Sequence, residues 1–409
     1  MKRTLPAILT ALAALISGPA LAQDTAVSEN EARAIHDRLL TIDTHIDIGG
    51  NYATRKLDPG RFTGAQVDLP SMRIGGLDAG FFIIYTGQGA LDPAGFEKAR
   101  NAAEVKFRGI ERLLQGYPDQ VGLARTADDV ITLAATGRRV VLIGMENAYP
   151  LGQSVEDVAM WAGRGVRYVS ITHFGNNQFG GSSNPNVRRG DPKEDAGLTE
   201  LGRELVTTLN DNGIMIDLSH VGKQTGLQAI ELSRAPVIAS HSGARSVFDN
   251  PRNLDDEQLR AIRDSNGVAQ MVAFRSYVAR LDPALAKAQK ALRERLGLTS
   301  GAAFGAASPE LIEEYRSETR NNRSQFTDVN ISQFIDHVDH AVKIAGIDHV
   351  GLSGDFDGGG GVKGWDNASQ TFNVTRELLR RGYTESDLAK LWSGNILRVM
   401  RAVESAAAR

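Results

Sequence analysis

The sequence predicts an α/β protein, a (β/α)8 TIM-like barrel with a binuclear metal site at the carboxyl ends of its strands. Three observations point there. Short apolar runs alternate with helix-like stretches, eight such runs occur, and residues able to hold a metal fall at the ends of several of them. Alternation implies parallel strands joined by right-handed helical crossovers. Eight units in one chain favour a closed barrel over an open doubly wound sheet.

The chain opens with Met1-Lys2-Arg3, an apolar run through Ile16, and Ala20-Leu21-Ala22-Gln23. A positive start, an apolar middle and a small-x-small ending describe a secretory signal peptide over residues 1–22. The run is short and broken by Pro6 and Pro19, which argues against a retained membrane span. Residues 23–409 are then expected to form one barrel domain, exported to the periplasm or secreted, with no stable membrane anchor. The absence of cysteine excludes a lipidated-cysteine anchor, disulfides and thiolate metal sites. A hydrophobic content of 42% is enough for a large core. A net charge of −3 with scattered Lys and Arg argues against nucleic acid as a partner.

The first strand is expected over 40–47, ending in His45-Ile46-Asp47. Alternate strand residues share a face, so His45 and Asp47 project together and need a metal or a buried ion pair. Further strands are expected at 79–86, 140–146, 167–173, 214–220, 236–242, 267–274 and 349–355. Helices are expected at 93–115, 154–163, 198–212, 222–233, 255–265, 330–345 and 368–381. Residues 275–329 break the rhythm: a helix at 283–296, a small-residue patch at 299–308, then a charged run from Glu310 to Arg323. This insertion follows the seventh expected strand, on the face where barrel chemistry lies. It is either a lid or a solvated excursion.

The strand ends carry the chemistry. His45 and Asp47 end the first strand, Glu146 the third, His173 the fourth and His220 the fifth; His241 lies near the end of the sixth and Asp355 ends the eighth. In a barrel these ends meet at one rim, and each such group there needs a partner. Imidazole nitrogen and carboxylate oxygen suit zinc, cobalt or manganese. His45, Asp47, His220 and His241, with Glu146 bridging, can hold two divalent ions. Such a pair would share a water whose pKa falls toward ~7, a nucleophile suited to hydrolysing a carbonyl compound. Asp355 is placed to accept a proton and return it to the leaving nitrogen.

The remaining histidines read as structural. His36 lies in a helix before the first strand, His337 and His340 share a helix face expected to be solvated, and His349 precedes the last strand at the far end. Asp355-Phe356-Asp357-Gly358 lacks the further ligands of a calcium loop. Gly75-Gly76 precedes its strand, whereas a nucleotide loop follows one.

Taken together, these stretches resemble the membrane (renal) dipeptidase family, the M19 metallopeptidases, within the wider metal-dependent hydrolase barrels. The matching segments are Asp43-Thr44-His45-Ile46-Asp47, Gly144-Met145-Glu146-Asn147, Tyr168 to His173, Ile216 to His220, Ala239 to Ser242, Pro251 to Asp256, Gly354 to Gly358 and Ser393 to Arg398, in family order. The resemblance implies two zinc ions per chain: one on His45 and Asp47, the other on His220 and His241, with Glu146 bridging. It implies that Arg252 pairs with a dipeptide's C-terminal carboxylate, that His173 polarises the scissile carbonyl, and that Asp355 handles the proton and touches the substrate amine. It also implies tolerance for a C-terminal D-residue, and a homodimer. One departure stands out: His45-Ile46-Asp47 runs into Ile48-Gly49-Gly50, where family members often read His-Asn-Asp and then proline. The ligands survive this change, while the adjoining pocket wall differs. The competing functions are an N-acyl-amino-acid deacylase or lactonase on the same barrel, and a non-catalytic peptide- or zinc-binding protein. A mononuclear deaminase fits poorly, since position 47 is aspartate.

Overall fold

The structure, a computed structural model, describes residues 27–299, 303 and 307–407. The expected signal peptide and most of the 299–308 patch lie outside the described residues. The strands are β1 (Ile42–Asp47), β2 (Ala79–Tyr85), β3 (Val121–Leu123), β4 (Arg139–Glu146), β5 (Val166–Ser170), β6 (Met215–Asp217), β7 (Ile238–Ser242), β8 (Val268–Val272) and β9 (Val350–Ser353). All pair in parallel, in the order β1-β2-β4-β5-β6-β7-β8-β9. The ring closes between its ends: Ile46 bridges Phe356 in parallel, and the Asp47 amide donates to the Phe356 carbonyl at 2.8 Å. The buried Asp43 carboxylate reinforces that seam, accepting from the Gly354 and His45 amides.

The eight expected strands are therefore present, with shorter ends than the sequence pattern indicates. A ninth, β3, branches off β4. Its three residues include Gly122, too little for a period-two signal. β5 stops at Ser170 and β6 at Asp217, so His173 and His220 lie three residues past their strands rather than at the last residue. Asp355 likewise follows β9 by two residues.

The helices are α1 (Glu29–His36), α2 (Leu69–Gly75), α3 (Pro93–Gly116), α4 (Ala127–Ala135), α5 (Val158–Arg164), α6 (Glu200–Asp211), α7 (Lys223–Leu232), α8 (Asp256–Asp264), α9 (Arg275–Val278), α10 (Pro283–Arg295), α11 (Pro309–Gln325), α12 (Ile331–Ala345), α13 (Phe372–Arg380), α14 (Glu385–Ala389) and α15 (Asn395–Ala407). Asp92, Thr126, Asp255 and Asn330 cap four of them through side-chain oxygens that accept first-turn amides. No helix among the described residues is long and apolar enough to cross a membrane.

Alternation along the strands sorts two cores. Ile42, Ala79, Phe81, Leu142, Tyr168, Met215, Ile238 and Val268 fill the barrel, where they meet Ile396, Val399 and Met400 of α15. Phe82, Ile84, Ile143, Val169 and Ile216 face outward to the helices. The barrel interior is thus packed largely with apolar side chains below the rim.

The insertion consists of α9, α10 and α11, and it is tied down. Arg316 reaches Asp357 at 3.0 Å, while Arg275 and Arg323 both pair with Asp328, at 2.9 and 2.8 Å. The expectation of a solvated face for His337 is wrong. It is fully buried, accepting from the Ala244 amide at Nδ1 and donating to the Val278 carbonyl at Nε2. A pattern of charged neighbours at 336, 339 and 340 hid it. His340 pairs with Asp256 at 2.7 Å.

Candidate metal centre

All seven residues expected at the rim converge. Glu146 lies at the middle: its Oε1 is 3.0 Å from His220 Nε2, 3.3 Å from His241 Nε2 and 3.8 Å from His173 Nε2, and its Oε2 is 3.6 Å from His45 Nε2. His45 Nε2 is also 3.4 Å from Asp47 Oδ2, and the His220 and His241 Nε2 atoms face each other at 3.0 Å. Three sets have ligand atoms mutually within 4.8 Å: His45, Glu146 and His241; Glu146, His173 and His220; His45, Asp47 and Asp355. His45, Glu146, His220, His241 and Asp355 are buried.

The network behind the ring fixes which nitrogen carries a proton. Tyr168 donates its hydroxyl proton to the Thr44 carbonyl at 3.1 Å, so His45 Nδ1–H donates to the Tyr168 oxygen at 3.0 Å. Ser240 donates to Asp217 Oδ2 at 2.6 Å, so His241 Nδ1–H donates to Ser240 Oγ at 2.8 Å. Both imidazoles thus commit Nδ1 as a donor and turn Nε2 toward Glu146, the orientation a metal ligand requires. Tyr168 reaches this position because Gly144 on the neighbouring strand lacks a side chain; a Cβ there would collide with the Tyr168 ring. A Cβ on Gly358 would run into both Asp355 Oδ1 and Asp47 Oδ2. Gly358 therefore lets two carboxylates approach one another.

The backbone is strained at the same place. Asn147, His220 and Asp355 adopt positive φ of 75°, 69° and 49°, a left-handed conformation unfavourable for residues with a Cβ. At His220 and Asp355 the left-handed turn after the strand brings the side chain to the rim cluster.

The electrostatics call for cations. Burial works against charge on Glu146, but His173 and His45, with the hydrogen bonds of His220 and His241, hold its carboxyl well below the usual range. Burial opposes protonation of His45, but Glu146 and Asp47 override it and hold the imidazole well above its usual value. Burial chiefly, with the Arg252 cation adding, holds His220 and His241 well below theirs, so both are neutral ligand nitrogens. Burial pushes the Asp355 carboxyl well above the carboxylate range, and Asp47 and Glu146 add to it against His45. A nitrogen-and-carboxylate set with its ligand atoms turned inward fits a pair of divalent cations.

Arg252 lies beside this centre, buried, with Nη1 donating to Ser242 Oγ at 2.8 Å and Nη2 to the His241 carbonyl at 2.7 Å. Its Nε is buried without a partner among the described residues, and Tyr277 lies under the guanidinium at 5.5 Å. His173 packs between Tyr85 and Phe174, with ring centroids 4.7 and 4.5 Å away. Sequence reasoning missed the supporting groups Tyr168, Asp217, Ser240, Gly144 and Gly358. It missed Lys106 as well, whose Nζ is 3.7 Å from Asp47 Oδ1. The Asp217-x-x-His220 and Ser240-His241 spacings were the available signals for two of them.

A parallel barrel whose rim gathers imidazoles and carboxylates around one point is a metal-dependent hydrolase. The family described as membrane dipeptidase (peptidase family M19) matches residues 29–409, and the chain belongs to it. It is accordingly a dipeptidase, a hydrolase of the peptide bond. Dipeptidase tcpJ of Claviceps purpurea is 27% identical over 86% of this chain and 73% of its own length. Among solved structures, the probable dipeptidase PvdM from Pseudomonas aeruginosa is 33% identical with a TM-score of 0.80, covering 92% of this chain and 98% of that one. The M19 metallopeptidase dipeptidase AC is 25% identical with a TM-score of 0.69, covering 89% and 98%.

Proposed function

We propose that this chain is an exported dizinc dipeptidase that cleaves the single amide bond of a dipeptide, including dipeptides with a C-terminal D-residue. The observation that carries the metal assignment is the convergence of imidazole Nε2 atoms on the two oxygens of Glu146. His45 and Asp47 would hold one ion, His220 and His241 the other, and Glu146 would serve both. When bound, such a pair acidifies water toward pKa ~7 and polarises a carbonyl.

The side chains do the rest. Arg252, buried and already oriented by Ser242 and the His241 carbonyl, offers a rigid planar donor to the substrate's terminal carboxylate. His173 Nε2 faces Glu146 across the site and hydrogen-bonds the scissile carbonyl oxygen as charge develops there. Asp355, grouped with His45 and Asp47 at the mouth, takes the proton of the attacking water and delivers it to the leaving nitrogen. The barrel core below and the ion-paired insertion at the same end as Asp357 limit solvent access.

The defining experiment measures metal content and turnover on a panel of L,L- and L,D-dipeptides beside N-acyl amino acids and lactones. Two zinc per chain with chelator-sensitive cleavage of free-carboxylate dipeptides is expected; cleavage of acyl amino acids or lactones alone would overturn the assignment. Removal of residues 1–22 on export is checked by sequencing the amino terminus of the protein from a periplasmic or secreted fraction. The homodimer implied by the family resemblance is checked by sedimentation.

A further inference from the structure

The rim holds a second cation that the catalytic assignments leave unused. Lys106 projects from α3, and its side chain is 17% exposed. Its nearest carboxylate oxygen is Asp47 Oδ1, a long ion pair at 3.7 Å that engages at most one of the three ammonium protons. Nζ sits 5.0 Å above the Tyr85 ring, and that ring packs on His173. Lys106 therefore borders the pocket wall beside the carbonyl-binding histidine.

Topology places it relative to Arg252. Tyr85 is the last residue of β2, and Arg252 is held by His241 and Ser242 at the end of β7. In the ring order β1-β2-β4-β5-β6-β7-β8-β9, β2 and β7 are four positions apart among eight, so they stand on opposite sides of the mouth. A dipeptide whose terminal carboxylate is held by Arg252 spans Glu146 and extends its N-terminal residue toward β2. With its amine on Asp355, as proposed above, the side chain of that residue would lie on the Tyr85 side of the mouth, which Lys106 borders. An ammonium with donors to spare beyond Asp47, largely screened from water, rewards an anionic partner more than a neutral one.

We propose that Lys106 is a specificity-determining residue that binds an acidic side chain on the residue N-terminal to the scissile bond. The proposal rests on the dipeptidase reading above and can fail independently of it. The experiment compares kcat/KM of the metal-loaded enzyme for L-Glu-L-Ala and L-Gln-L-Ala, which differ in charge alone. The wild type should favour the glutamyl peptide by about tenfold, the gain of one charge-assisted hydrogen bond in a partly buried pocket. Lys106→Met should bring the ratio near one, and Lys106→Glu should favour L-Lys-L-Ala over L-Glu-L-Ala. Calorimetric titration with free L-glutamate and L-glutamine reads the same discrimination without turnover, and elemental analysis of each variant checks that the metals remain. Equal rates in the wild type, or a glutamyl preference that persists in Lys106→Met, would overturn the proposal. If the loaded wild type cleaves no dipeptide at all, it is the dipeptidase reading that falls.

Discussion

In the proposed mechanism Arg252 binds the substrate and takes no part in the chemistry. Its two Nη groups are occupied by Ser242 and the His241 carbonyl, which orient the guanidinium rather than neutralise it. Arg252→Ala should therefore raise KM for dipeptides by about 100-fold with a smaller change in kcat, the signature of lost ground-state binding to a carboxylate. Steady-state kinetics on a dipeptide and its C-terminal amide check this; the amide should be nearly indifferent to the substitution. Tyr168 acts one step further back. Tyr168→Phe removes the oxygen that accepts from His45 Nδ1, freeing the imidazole to rotate or change tautomer. Zinc affinity measured by chelator competition should fall by about tenfold, the usual loss for a partner behind a metal ligand.

At the level of elements, the turn after β9 governs the site. Asp355, Asp357 and Gly358 all lie in it, with positive φ at both aspartates, and Asp357 is pinned by the Gln66 amide and by Arg316 of the insertion. Gly358→Ala should push Asp47 and Asp355 apart, lowering bound metal while leaving far-ultraviolet circular dichroism unchanged. The strand–helix alternation and the polar residues at strand ends were legible in the sequence, because burial on both faces of a parallel sheet leaves continuous apolar runs. What stayed hidden has local causes. β3 is too short to have a period, and His337 looked solvated because its partners are backbone groups 59 and 93 residues away. Tyr168 and Gly144 read as ordinary core until the strands were set side by side. Lys106 sits in a helix, where no strand-end rule would look for it.

Across the whole molecule, the seam between β1 and β9 adjoins the proposed metal ligands. The Asp43 carboxylate holds Gly354 while its neighbour His45 faces Glu146, so loading the site should stiffen the barrel's closure. Stripping the metals should lower the melting temperature as well as abolish turnover, because a ligand that binds the folded chain alone stabilises it by mass action. Scanning calorimetry before and after chelation, with zinc restored, checks the effect and its reversal. The measurement that bears most directly on the account is anomalous diffraction at the zinc edge from crystals of the purified protein. The account predicts two peaks ~3.5–4 Å apart, one touching His45 and Asp47, the other His220 and His241, with Glu146 between. A single peak, or none within ligand distance of Glu146, would contradict it.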